Sequence, residues 1–102
     1  MPKRRAAGVT AKPWFLYLLE CRDGNIYTGI TVDVAARYAA HASGKGARYT
    51  RAHPPARLLT AIDYPDRATA SVAEYAVKQM SSAEKRAYAL LLALGNATAC
   101  AD

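Results

Sequence analysis

Arg37 and His41 stand four positions apart, a spacing that puts both on one face of a helix. The guanidinium is always charged and offers a fork of donors that suits phosphate oxygens, while the imidazole titrates near neutral pH or holds a water. Taken alone, the same pair reads equally well as a solvated arginine and a surface histidine. Tyr17 and Tyr27 are ten positions apart. On two strands of a hairpin they project from one face if the loop has an odd number of residues, such as 23–25, and from opposite faces if the number is even. Either ring is also an ordinary strand residue. Glu74 is followed by Lys78 at i+4, which makes a helical ion pair worth roughly a few tenths of a kcal/mol. The competing reading is a hard-metal ligand, because Mg²⁺ keeps most of its waters and needs only one or two carboxylates plus substrate phosphates. Glu20, Asp23, Asp63 and Asp66 fall at turns or strand ends and form no evident second site.

No acid occurs between Val34 and Ile62, yet Arg37, Lys45, Arg48, Arg51 and Arg57 do, with Tyr38 and Tyr49 interleaved. Basic side chains neutralise phosphates and aromatic rings stack on exposed bases, so this lopsided stretch has the character of a nucleic-acid surface. An ordinary solvated face mixes the two signs. Lys45, Arg48, Tyr49 and Arg51, joined by Lys78, are the candidate strand-binding residues.

The elements that must position these groups follow from patterning. Trp14 to Cys21 is apolar on both alternating faces, which predicts a central strand covered from two sides. Asp23-Gly24-Asn25 supplies a turn, and Ile26 to Thr31 a second strand. Thr31 or Asp33 can cap a helix over Val34 to Ala42, ended by Ser43-Gly44. Gly44 to Pro55 reads as a loop, and Arg57 to Tyr64 as a third strand stopped by Pro65. A helix is expected from about Ala68 to Met80, then another opened by a capping box from Ser81 to Glu84 and ended by Gly95. Val72, Ala76, Val77, Met80, Tyr88, Leu91 and Leu92 are the apolar positions expected to cover the sheet. The class is α+β, a small three-stranded antiparallel sheet flanked by helices.

Length and charge bound the rest. A chain of 102 residues, 52% hydrophobic and 22% charged, fits one domain with a modest core. Fourteen Lys and Arg against eight Asp and Glu give +6 and a pI near 9.6, which favours a polyanionic partner. Two cysteines, Cys21 and Cys100, cannot make a four-ligand zinc site or a disulfide framework, so reduced thiols and a cytoplasmic location are expected. No apolar run suits a signal peptide or a bilayer span, so no membrane partner is expected. The expected organisation is a basic arm over 1–12, a domain over 13–95 and a tail over 96–102.

Phe15-Leu16-Tyr17, Tyr27-Thr28-Gly29, Arg37 with His41, and a helical Glu74 together resemble the GIY-YIG nuclease domain. The likeness is closest to its small stand-alone bacterial members, through Trp14 to Leu18, Tyr27 to Thr31, Gly44 to Ala47 and Ala70 to Lys78. It runs from about residue 13 to about residue 94. The resemblance implies an endonuclease that hydrolyses DNA phosphodiester bonds in DNA processing or repair, with one Mg²⁺ or Mn²⁺ ion. Single-stranded or branched DNA is the favoured partner. Carried over, Glu74 would hold the metal, Arg37 would stabilise charge on the scissile phosphate, and Tyr27 or Tyr17 would activate or place the attacking water. His41 occupies a position where the family often has Tyr or His, and Gly29 would let backbone or substrate approach. A tyrosine base is hampered by its ordinary pKa of ~10; Arg37 and the metal would favour the phenolate. Phe15 replaces the glycine of the first triplet, and Ile30 stands where several catalytic members have lysine. The alternative is a nucleic-acid-binding module on the same scaffold without turnover.

Overall fold

The computed structural model describes residues 12–101, with side chains to position 93. Its elements are β1 (Trp14–Cys21), β2 (Ile26–Thr31), α1 (Val34–Ala42), α2 (Arg48–Ala52), β3 (Pro55–Tyr64), α3 (Arg67–Lys78) and α4 (Ser82–Ala101). The strands make one antiparallel sheet in the order β2-β1-β3, so the fold is the expected α+β arrangement. β1 is central because it is apolar on both faces: Leu16 to Leu19 and Cys21 are all buried.

The two faces of the sheet differ. Leu16, Leu18 and Ile26 pack with Val77 of α3, and Ile30, Leu59, Ile62, Tyr64, Met80 and Tyr88 close around them. The opposite face carries Tyr17 and Tyr27, met by His41 of α1 and, beyond it, Thr50 of α2. Tyr17 pairs with Gly29 and Leu19 with Tyr27 in the β1–β2 register. The Cys21 N–H donates to the Asn25 carbonyl at 2.8 Å, leaving residues 22–24 in the turn. That count is odd, so both tyrosines project from one face.

Helix starts follow local chemistry. The Asp33 carboxylate accepts from the Ala36 N–H at 3.0 Å, and Asp66 accepts from the Thr69 N–H at 2.8 Å. Ser81 and Glu84 bond each other's backbone N–H groups, a complete capping box. Glu20 takes Arg57 at 2.5 Å and also Arg86, which donates to the Gly24 carbonyl at 2.6 Å. This network joins β1, β3, the hairpin turn and α4.

Several expectations are corrected. The segment 44–55 is not all loop, since it contains α2. That helix has no side-chain cap at Ala47 and is held instead by Thr50. β3 begins two residues early at Pro55, across a register irregularity from Cys21, and α3 runs from Arg67 to Lys78. α4 passes Gly95 and continues to Ala101, so 96–101 prolongs a helix. An interior glycine costs a helix about 1 kcal/mol, which the neighbouring alanines and leucines outweigh. Val72, Ala76 and Leu91 face outward rather than covering the sheet. The basic arm falls on residues 1–11, outside the described residues, apart from Lys12. Among the described residues no helix is long and apolar enough to cross a membrane.

Candidate active site

Tyr17 of β1 is 2% exposed, and its hydroxyl lies 2.9 Å from His41 Nε2. His41 Nδ1 lies 2.6 Å from Thr50 Oγ1, and Thr50 in turn donates to the Ala47 carbonyl at 3.0 Å. A threonine hydroxyl has one proton. With that proton on Ala47, Thr50 accepts from His41 Nδ1–H, so Nε2 is bare and takes the proton of Tyr17. The relay is directional: phenol to imidazole to hydroxyl to carbonyl. His41 is therefore neither a surface histidine nor a water holder. It is 1% exposed, and burial together with the Arg37 charge holds its pKa below the ordinary imidazole range.

Two glycines make room for this relay. A Cβ on Gly29 would stand 2.6 Å from the Tyr17 hydroxyl oxygen, so the space the family resemblance reserves for substrate is filled by the Tyr17 ring. A Cβ on Gly46 would stand 2.8 Å from the Cα of His41, so the glycine-rich segment before α2 lies directly on α1.

Arg37, one turn before His41, is half-buried, and its guanidinium lowers the pKa of Tyr17 against the effects that raise it. The charge of Glu74 on α3 reaches the same phenol and raises its pKa. Burial, then Tyr27, raise the Tyr17 pKa to about 12, with Glu74 adding to them and Arg37 opposing. Arg37 therefore does favour the phenolate, as expected, but burial outweighs it. Tyr27 is half-buried, its ring 6.2 Å from Tyr17 and 5.1 Å from His41. Tyr17, Tyr27 and His41 thus meet at one place, brought there by β1, β2 and α1, and the charges of Arg37 and Glu74 act on the Tyr17 phenol from α1 and α3.

Glu74 keeps 22% side-chain exposure and pairs with Lys78 at 3.2 Å. Among the described residues no three His, Cys, Asp or Glu groups converge. One accessible carboxylate fits a divalent ion that brings its own waters and shares the substrate phosphate, and does not fit a metal retained without substrate.

The basic candidates lie around this cluster. Lys45, Arg48 and Arg51 are exposed, on and before α2. Tyr49 stacks on His53 at 4.3 Å and, offset, on Tyr27 at 5.8 Å, and it stays partly open to solvent. His53 in turn binds the Asp23 carboxylate, whose pKa it draws below the usual range. Thr50 was missed by sequence reasoning, since nothing local marks a threonine in a five-residue helix as the partner of a histidine nine positions earlier. Gly46 carried a signal only through the Gly-Lys-Gly-Ala likeness.

Comparison with known proteins agrees with this arrangement. A family model described as the GIY-YIG catalytic domain matches residues 13–87. A UPF0213 protein of Xanthomonas campestris is 57% identical over 77 residues, covering 76% of each chain. Another from Cupriavidus pinatubonensis is 54% identical, covering 76% of this chain and 86% of its own. The solution NMR structure of a UPF0213 protein from Bacillus halodurans superposes with a TM-score of 0.50 at 44% identity, covering 78% of this chain and 84% of that one.

Proposed function

The chain belongs to the GIY-YIG family, a nuclease-type family, and from that premise we propose that it is a metal-dependent endonuclease cutting DNA, single-stranded or structured DNA in preference to intact duplex. The observation that carries this reading is the Tyr17 phenol bonded to a bare imidazole nitrogen of His41, with Tyr27 beside it and the charges of Arg37 and Glu74 acting on it.

A phenol with a pKa near 12 is a poor base if it must first ionise. It does not have to. Its proton already points at His41, so its oxygen can accept a proton from water while its own proton passes to Nε2, and the imidazole ends as the cation. The water oxygen bonds to phosphorus as the phosphorus–sugar oxygen bond breaks, and the departing oxygen takes its proton from solvent. Arg37 is placed to meet charge developing on the phosphate oxygens. A bound Mg²⁺ or Mn²⁺ would supply Lewis-acid charge at the same phosphate, and Glu74 is the residue to hold it. Lys45, Arg48, Arg51 and Lys78 supply the non-specific attraction for the strand.

Ile30 supports the second reading, a binding module without turnover: it packs against the core cluster and leaves no cation at the position after Gly29. Incubation of labelled single- and double-stranded DNA with Mg²⁺, Mn²⁺ or EDTA separates the two. Cleavage of single strands in metal only, lost in Glu74→Ala and Arg37→Ala, is the expected result. Salt-sensitive binding without products under either metal selects the module, and cleavage unchanged in both variants overturns the site.

A further inference from the structure

Among the described residues β2 is an edge strand, with β1 as its one strand neighbour. A cleft of about 320 Å³ lies at this strand, lined by Tyr27, Tyr49 and Ile26 together with Met80, Lys78 and Lys85. Ser82, the first residue of α4, completes its polar lining. Thr28 also lines it. That residue is 2% exposed, and its hydroxyl has no hydrogen-bond partner among the described residues. Lys85 is half-buried and donates to the Ile26 carbonyl at 3.2 Å; burial and the charge of Lys78 lower its pKa. Two like charges are thus held beside each other, and of the two only Lys78 is paired with a carboxylate, at Glu74. Such a pair is favourable when an anion sits between them.

The cleft begins where the catalytic cluster ends. Tyr27 lines it and stands within 6.2 Å of Tyr17, and Lys78 lines it while holding Glu74. Its volume is at the lower end of the roughly 300–1,000 Å³ of small-molecule sites, which suits one nucleotide and not a base pair. Its lining is apolar and aromatic with cations beside it, the pattern that holds a base and its phosphate. Resting on the nuclease reading above, we infer that this cleft seats one unpaired nucleotide next to the bond being cut, its phosphate on Lys78 and Lys85 and its base against Ile26, Met80 and the tyrosine edges. The Tyr49 ring is already stacked with His53, so the base meets what its edges leave open. A paired base is held inside the stack and must be turned out to enter, so the cleft selects single strands.

The test uses the full chain in EDTA. Amide NMR follows titration with dTMP, and fluorescence anisotropy follows a labelled oligothymidylate at several salt concentrations, for the parent, Lys85→Gln and Ser82→Glu. The second variant guards against misfolding, since an acid in the first turn of a helix is favourable. Shifts at Ile26 to Thr28 and Ser82 to Lys85 are expected, with affinity lowered about five- to tenfold in each variant. The salt slope of Lys85→Gln should fall by about 0.7. Shifts confined to 45–53, or both variants binding like the parent, overturn the subsite. Cleavage of the same oligonucleotide in Mg²⁺ separates the two claims. A parent that cuts but shows no shifts in the cleft loses the subsite and keeps the nuclease. One that binds in the cleft without cutting keeps the subsite and loses the nuclease, and one that does neither loses both.

Discussion

The two faces of β1 hold the molecule together by different physics. On one, Leu16 and Leu18 contribute by area: they are fully buried against Ile26 and Val77, and any well-packed apolar neighbour would serve. On the other, Tyr17, His41 and Thr50 contribute by direction, each bonded to the next with its donors and acceptors assigned. An area-based face tolerates volume-conserving change and loses stability in proportion to what is removed. A bonded face fails at single atoms, because an unpartnered buried polar group costs more than its bond contributes. On the polar face the Tyr17 proton is held in a defined place, which is what the proposed chemistry requires.

Five substitutions, one of them read by a pH titration, sharpen or break this contrast. The largest effect is expected from Glu74→Gln. Cleavage should fall about 10³-fold, roughly 4 kcal/mol, while the melting temperature stays near that of the parent because the carboxyl is partly exposed. A large drop in melting temperature would make Glu74 a structural residue. Next, Leu18→Ala should cost about 3 kcal/mol in urea denaturation; the remaining folded protein should keep its pH profile of cleavage. Thr50→Val is the counterpart on the polar face. It strands the His41 Nδ1–H, should cost about 2 kcal/mol, and should also depress cleavage by freeing the wrong tautomer. Loss of stability without loss of cleavage would sink the relay.

The pH dependence follows with its sign. His41 has a depressed pKa in the fold and an ordinary one near 6.5 when unfolded. Its stabilising contribution is therefore complete above about pH 6.5 and is lost as pH falls toward the folded value, at a slope approaching about 1.4 kcal/mol per unit. His41→Gln should remove that part of the acid sensitivity in thermal melts, and cleavage should share the same acid limb. The smallest effect belongs to Val72→Ser. Val72 is 73% exposed, and the change should stay within about 0.5 kcal/mol.

The contrast also explains what could be read from the sequence. Starts of helices were legible because their causes are local: Asp33 and the Ser81–Glu84 box bond groups three residues away. The hairpin was legible from alternation and turn residues, whereas the shared face of Tyr17 and Tyr27 hung on the parity of the turn, which the β1–β2 register decides. α2 was not, because it has no side-chain cap and depends on Thr50, which depends on His41 across a loop. The end of α4 was misread because glycine signals a helix stop only when its backbone turns left-handed there. The outward faces of Val72 and Leu91 were misread because periodicity gives a helix an apolar side without saying how much of it a three-stranded sheet can cover.

By itself, the sequence determined the α+β order of elements, the centrality of β1 and the family, and it singled out Tyr17, Tyr27 and His41, which the fold packs together. These depend on patterning and on motif spacing, which are properties of a chain. The tertiary structure alone decided that His41 is buried and neutral, that Gly29 yields its space to Tyr17, that burial outweighs Arg37 in setting the phenol's pKa, and that Lys85 joins Lys78 at the β2 edge. Each of these depends on how far a side chain sits from water and from a partner many residues away. Desolvation and hydrogen-bond direction are set by packing in three dimensions, so they have no one-dimensional signature.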